Sequence, residues 1–135
     1  MTQIVYLDPS ALLRRYLADR FRPQVLEVMA GAEHWVCSAL GKAELELALQ
    51  EAATSPTAGQ ASWAAVRDDW EALWEIPVDG RCLSAAAGIA ARFGLGLSDA
   101  IHVAAASRLP PGSGFCTFSF AQIPAAEAQG LVIVP

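Results

Sequence analysis

The stretch IVYLDPSALLRRYL, residues 4–17, joins an apolar run to a helical one through a single aspartate. Ile4, Val5, Tyr6 and Leu7 read as a short buried strand, and Pro9 and Ser10 open a helix that runs to Leu17. Asp8 sits at the seam. A carboxylate at the end of a buried strand is costly to desolvate unless donors or a positive charge meet it. One account is a helix cap, since an acid before the first helical turn accepts from unpaired backbone N–H groups. The other is a metal ligand or nucleophile at the C-terminal edge of a parallel sheet, where open α/β folds build their sites. Taken alone, the stretch favours the cap.

The same alternation of strand-like and helix-like runs continues to the end of the chain, the pattern of an α/β fold with a mostly parallel sheet. Further strands are expected at Trp35–Ser38, Glu75–Val78, Phe115–Phe118 and Leu131–Val134. Pro23 in a first turn and Gly31 after a last one frame a second helix. A longer helix is expected over Ala39–Ala53, and the turn formers of TSPTAGQ, residues 54–60, separate it from another over Ala61–Leu73. A helix over Arg81–Phe93 closes in GLG, residues 94–96, and Ser98 is expected to cap a last long helix to Ser107. Pro110, Pro111 and Gly112 then enforce a loop.

With 135 residues, the chain is expected to form one domain spanning 1–135, large enough for a real core. Its 54% hydrophobic content leaves apolar surface for a partner, yet no run approaches the ~20 apolar residues of a membrane span. The start MTQIVYLDPS lacks the basic segment and long apolar region of a signal peptide, so a cytoplasmic location is expected. Cys37, Cys82 and Cys116 are widely spaced, form no CxxC, and read as buried thiols. The net charge of −5 excludes simple coating of nucleic acid, although Arg14, Arg15, Arg20 and Arg22 supply four of the nine Lys and Arg.

Most of the acids lie among polar neighbours or at element ends. Two more do not. Glu44, in SALGKAELELALQEAA (residues 38–53), lies on a helix dominated by Ala and Leu, while Glu46, about 200° round the helix, is the better candidate for solvent. Asp99, in GLGLSDAIHVAAAS (residues 94–107), occupies the first turn of a helix so apolar that it must be largely buried. An acid beside a Ser cap is ordinary dipole chemistry, and Asp99 alone proves little. The three acids together are more informative, because helices that follow parallel strands begin at one edge of the sheet, where Asp8, Glu44 and Asp99 are expected to converge. Three carboxylates in one pocket require a cation, and an oxygen-only set suits Mg²⁺ or Mn²⁺. His102, one turn after Asp99, either packs in the helix core or backs the same pocket. Lys42 and the early arginines are candidates for meeting phosphates.

DPSAL at residues 8–12, Glu44 within its Ala/Leu helix, LSDAIHVAAA at 97–106 and FCTFSF at 115–120 occur in an order that resembles a PIN domain. The nearest likeness is the toxin ribonuclease of VapBC toxin–antitoxin pairs, over nearly the whole chain. The resemblance implies a three-layer α/β fold, with about five mostly parallel strands and helices on both faces. It makes Asp8, Glu44 and Asp99 the metal-binding acids and Ser10 the hydroxyl residue after the first. It further implies an RNA substrate cut to a 3′-hydroxyl and a 5′-phosphate, a small antitoxin partner and a homodimer. One position departs: where the family often carries an acid in a T-x-D motif, TFS places Ser119. Serine supplies an oxygen but no charge, which weakens the case for a second ion.

The leading expectation is therefore a Mg²⁺- or Mn²⁺-dependent endoribonuclease with Asp8, Glu44, Asp99 and Ser119 in its site. The alternative is a PIN-like module that has lost catalysis at Ser119 and binds RNA or a protein. An aspartyl-phosphate enzyme is excluded on residues. Ser10 stands where a dehalogenase-type phosphatase needs a second aspartate, and a receiver domain needs a late lysine where this chain has only Lys42.

Overall fold

Side chains of a strand point alternately to its two faces, so a strand that is apolar throughout needs cover on both sides. That is the situation of β1 (Ile4–Leu7), and the computed structural model, which describes residues 3–134, supplies both covers. Tyr6 packs with Val36 and Phe115 under one set of helices, while Val5 and Leu7 pack with Cys37 and Cys116 under the other. The arrangement is the expected three-layer α/β fold.

Five parallel strands make the sheet, in the order β3-β2-β1-β4-β5. Besides β1 they are β2 (His34–Ser38), β3 (Trp74–Ile76), β4 (Gly114–Cys116) and β5 (Val132–Ile133). Four helices cover the Val5 face: α1 (Pro9–Tyr16), α2 (Arg22–Ala30), α3 (Ala39–Ala52) and α4 (Pro56–Trp70). The Tyr6 face is covered by α5 (Gly80–Phe93), α6 (Leu97–Ala106) and α7 (Ile123–Ala128). From β1 the chain steps one way to β2 and β3 and later the other way to β4 and β5. The reversal between β1 and β4 opens a crevice beyond their C-terminal ends, the place where open α/β sheets bind ligands.

Several element ends differ from the sequence expectation, each for a local reason. Helix α4 begins at Pro56, inside the stretch expected to be a turn, because Ser55 Oγ accepts the Ala58 N–H at 3.1 Å and proline suits the first helical position. Asp79 opens α5 by accepting the Cys82 N–H at 2.9 Å. Helix α6 starts from Gly96, so Ser98 is not its cap and its hydroxyl turns to another partner. β4 stops at Cys116 rather than Phe118, because the Phe118 and Ser119 N–H groups donate to the hydroxyls of Ser10 (2.8 Å) and Thr117 (2.9 Å) instead of a strand ladder. The strand expected at Glu75–Val78 lies at Trp74–Ile76, and the last shrinks to Val132–Ile133. The three cysteines are buried and free. Among the described residues no single helix is long and apolar enough to cross a membrane.

Candidate active site

Both accounts of Asp8 hold at once. It is the N-cap of α1, its Oδ1 accepting the Ala11 N–H at 3.1 Å, and it lies at the C-terminal end of β1 beside β4. Only 2% of it is exposed. The Ser10 hydroxyl donates to Oδ1 at 2.6 Å and the Thr117 hydroxyl faces Oδ2 at 2.8 Å. Burial pushes the Asp8 carboxyl above the ordinary carboxylate range, against the pull of the Ser10 and Thr117 hydroxyls. Among the described residues neither Asp8 nor Asp99 forms an ion pair with Lys or Arg.

The exit from β4 carries the connection onward. Thr117 Oγ1 lies 2.7 Å from Gln122 Oε1 as well as near Asp8, and it accepts the Ser119 N–H. Ser119 Oγ in turn donates to Asp99, 3.1 Å from Oδ2 and 3.3 Å from Oδ1, while Gln122 Nε2 donates to the Asp99 carbonyl at 3.3 Å. Asp8 and Asp99 are thus linked by hydroxyls across the β1–β4 reversal.

Glu44 enters from α3. Its Oε2 accepts the Ser98 hydroxyl at 2.8 Å, and its Oε1 lies 2.6 Å from His102 Nε2. A carboxylate only accepts, so Nε2 carries the hydrogen and Nδ1 accepts from the Tyr6 hydroxyl, 2.7 Å away. Burial holds the Tyr6 phenol well above its usual range, so it keeps its proton. Burial also opposes ionisation of Glu44, but the hydrogen bonds from His102 and Ser98 outweigh it and its carboxyl is lowered. Gly41 admits the imidazole: a Cβ there would stand 2.2 Å from Cys37 Sγ and 3.3 Å from His102 Cε1. His102 therefore both packs in the core and braces Glu44.

Asp8, Glu44 and Asp99 share one edge, but each carboxylate is turned to its own donors, as like charges favour. Among the described residues no three His, Cys, Asp or Glu side chains are grouped to hold a metal ion. Glu44 is half-exposed rather than buried, and Leu47, one turn on, faces solvent. Three of the phosphate candidates are otherwise engaged: Arg14 pairs with Asp19 and Arg15 with Asp69, each at 2.8 Å, and Lys42 Nζ lies 5.5 Å over the Trp70 ring, whereas Arg20 is exposed and in no ion pair among the described residues. The donors along the edge are nonetheless almost all oxygens of Asp, Glu, Ser and Thr, a set suited to a hard divalent cation. Sequence reasoning missed Tyr6, Thr117 and Gln122. Tyr6 left a signal, since a phenol in an aliphatic buried strand needs a partner.

The PIN domain family model matches residues 5–109, a span that takes in Asp8, Glu44 and Asp99. The chain belongs to the PIN domain family. Solved structures share its fold over nearly the whole chain. VapC20 of Mycobacterium tuberculosis, a Sarcin-Ricin loop cleaving toxin, superposes with a TM-score of 0.75 at 15% identity, covering 97% of this chain and 99% of its own. FitAcB of Neisseria gonorrhoeae gives 0.74 at 15% identity, with 97% and 96% covered. VapBC2 of Rickettsia felis, bound to a DNA fragment from its promoter, gives 0.66 at 12% identity, with 96% of each chain covered. No curated protein matches the sequence. In this PIN domain Ser119 lies beyond the matched span, and its hydroxyl is the group that meets Asp99 at the exit from β4.

Proposed function

We propose that this PIN domain is a Mg²⁺- or Mn²⁺-dependent endoribonuclease and the toxin of a type II toxin–antitoxin pair. One observation carries the reading: three carboxylates stand along one edge of the sheet, and among the described residues none of them is paired with Lys or Arg. Negative charge gathered at a ligand-binding edge without Lys or Arg is what a divalent cation would balance. Asp8, Glu44 and Asp99 would hold the ion. When bound, it would supply a more acidic water and positive charge at the scissile phosphate.

The chain's own groups do the positioning. Ser10 and Thr117 fix the Asp8 carboxylate, His102 and Ser98 fix Glu44, and Ser119 orients Asp99. RNA as substrate accords with the Sarcin-Ricin loop cleaving activity of VapC20. A small antitoxin and a second copy of the chain are the proposed partners, and the exposed Leu47, Leu83 and Leu97 supply apolar surface for them. The proposed setting is the cytoplasm. Incubating the purified chain with RNA in Mg²⁺ or Mn²⁺ should give fragments with 5′-phosphates and 3′-hydroxyls, and a chelator should abolish them. One observation favours a second reading, an RNA- or protein-binding module without catalysis: Ser119 contributes no charge at the position where the family often has an acid. Absence of cleavage under every metal condition would promote it.

A further inference from the structure

Beside the acid edge, the segment after β4, the turn before α2 and Arg14 of α1 bring three phenylalanines and two arginines together. Phe118 is tied to the site by its N–H, which donates to Ser10 Oγ at 2.8 Å. Its ring lies under the Arg14 guanidinium at 3.9 Å and meets Phe21 at 5.2 Å and Phe120 at 6.2 Å. The Arg20 guanidinium covers Phe21 at 4.6 Å. Phe120, directly after Ser119, is 65% exposed, more than any other large hydrophobic side chain among the described residues.

We propose that this rim receives unpaired bases of single-stranded RNA entering the acid edge, with a base stacked on the open face of Phe120 and the phosphates running toward Arg20. The inference rests on the nuclease reading and adds where its substrate lies. A single exposed apolar residue needs no explanation, but Phe120 is continuous with two more rings and two guanidinium groups. Rings interleaved with arginine are how proteins hold single strands without reading sequence. The charge fits as well, for in a chain of net charge −5 with nine Lys and Arg two arginines, Arg14 and Arg20, lie on these rings. Arg14, held by Asp19 and by the Ser10 carbonyl, stiffens Phe118, whereas Arg20 is exposed and in no ion pair among the described residues. The rings are inclined at 38° and 52°, so no parallel slot exists between them and the base lies on the outer face.

The test is the affinity of the full chain for a short labelled single-stranded oligoribonucleotide in a chelator, where binding is read without cleavage. Phe120→Ala and Phe120→Leu should each weaken binding about tenfold, while Phe120→Trp should retain it. Arg20→Ala should flatten the salt dependence by roughly one phosphate contact. Wild-type-like affinity of the Phe120→Leu variant would overturn the proposal and assign the rim to apolar contact with a protein. No binding by the wild type would overturn it too, as would an unchanged salt slope for Arg20→Ala. Phe120-dependent binding without cleavage in Mg²⁺ or Mn²⁺ would sustain the rim while sinking the nuclease. Cleavage together with unaltered binding by Phe120→Leu would do the reverse.

Discussion

Asp8 carries its charge into the interior with no Lys or Arg paired to it among the described residues, and that has a consequence for stability. Burial raises its carboxyl in the folded protein above the unfolded value. A raised acid favours the fold when protonated, so its penalty is absent at low pH and grows as pH rises from the ordinary carboxylate range through the folded value. Asp8→Asn removes the charge with its geometry satisfied. The new amide nitrogen donates to Thr117 Oγ1, which can then give its own proton to Gln122 Oε1, 2.7 Å away. Thermal unfolding should therefore show Asp8→Asn melting above the wild type near neutral pH, with the gap closing as the solution is acidified. The same variant should lose RNA cleavage, as expected where a site is held at the expense of stability. A lower melting temperature for Asp8→Asn at neutral pH would mean that the charge is stabilised by something other than its visible donors.

Among the elements, Gly41 lets α3 lie close to Cys37 of β2 and to His102 of α6. In an exposed helix Gly→Ala stabilises by up to about 1 kcal/mol. Gly41 should behave oppositely, since its Cβ would stand 2.2 Å from Cys37 Sγ on β2 and close to the ring of His102. Chemical denaturation of Gly41→Ala should show a loss of roughly 1–3 kcal/mol, and adding Cys37→Ala should recover much of it. The helices themselves were legible in the sequence, because the apolar runs around Glu44 and Asp99 admit little else. Their ends were less so. Ser98 beside Asp99 reads as a cap, but Gly96 takes that role and Ser98 goes to Glu44, a partner 54 residues away. A hydroxyl that chooses a distant acid over its own backbone leaves no local trace. The early end of β4 has the same origin, in Ser10 and Thr117 drawing the chain off the ladder.

For the whole molecule, the sheet order decides which residues meet. Strand β1 lies between β2 and β4, so the ends of the first and fourth strands share a crevice although Asp8 and Thr117 are 109 residues apart. Alternating strands and helices made the α/β class and the shared edge of Asp8, Glu44 and Asp99 readable in advance. How the acids are spaced along that edge was not readable, because it depends on hydroxyl and imidazole partners such as Thr117 and His102 that only the assembled fold brings to them. The proposed activity is RNA cleavage at this edge with a divalent ion. It is tested most directly by the cleavage rate of the purified chain, partner absent, against Mg²⁺ and Mn²⁺ concentration for the wild type, Asp99→Asn and Ser119→Asp. Asp99→Asn should be slower by about 10²-fold or more, since it removes charge from both ion binding and the transition state. Ser119→Asp should move half-maximal cleavage to lower Mg²⁺. Cleavage by Asp99→Asn at the wild-type rate, or none by the wild type in either metal, would contradict the account.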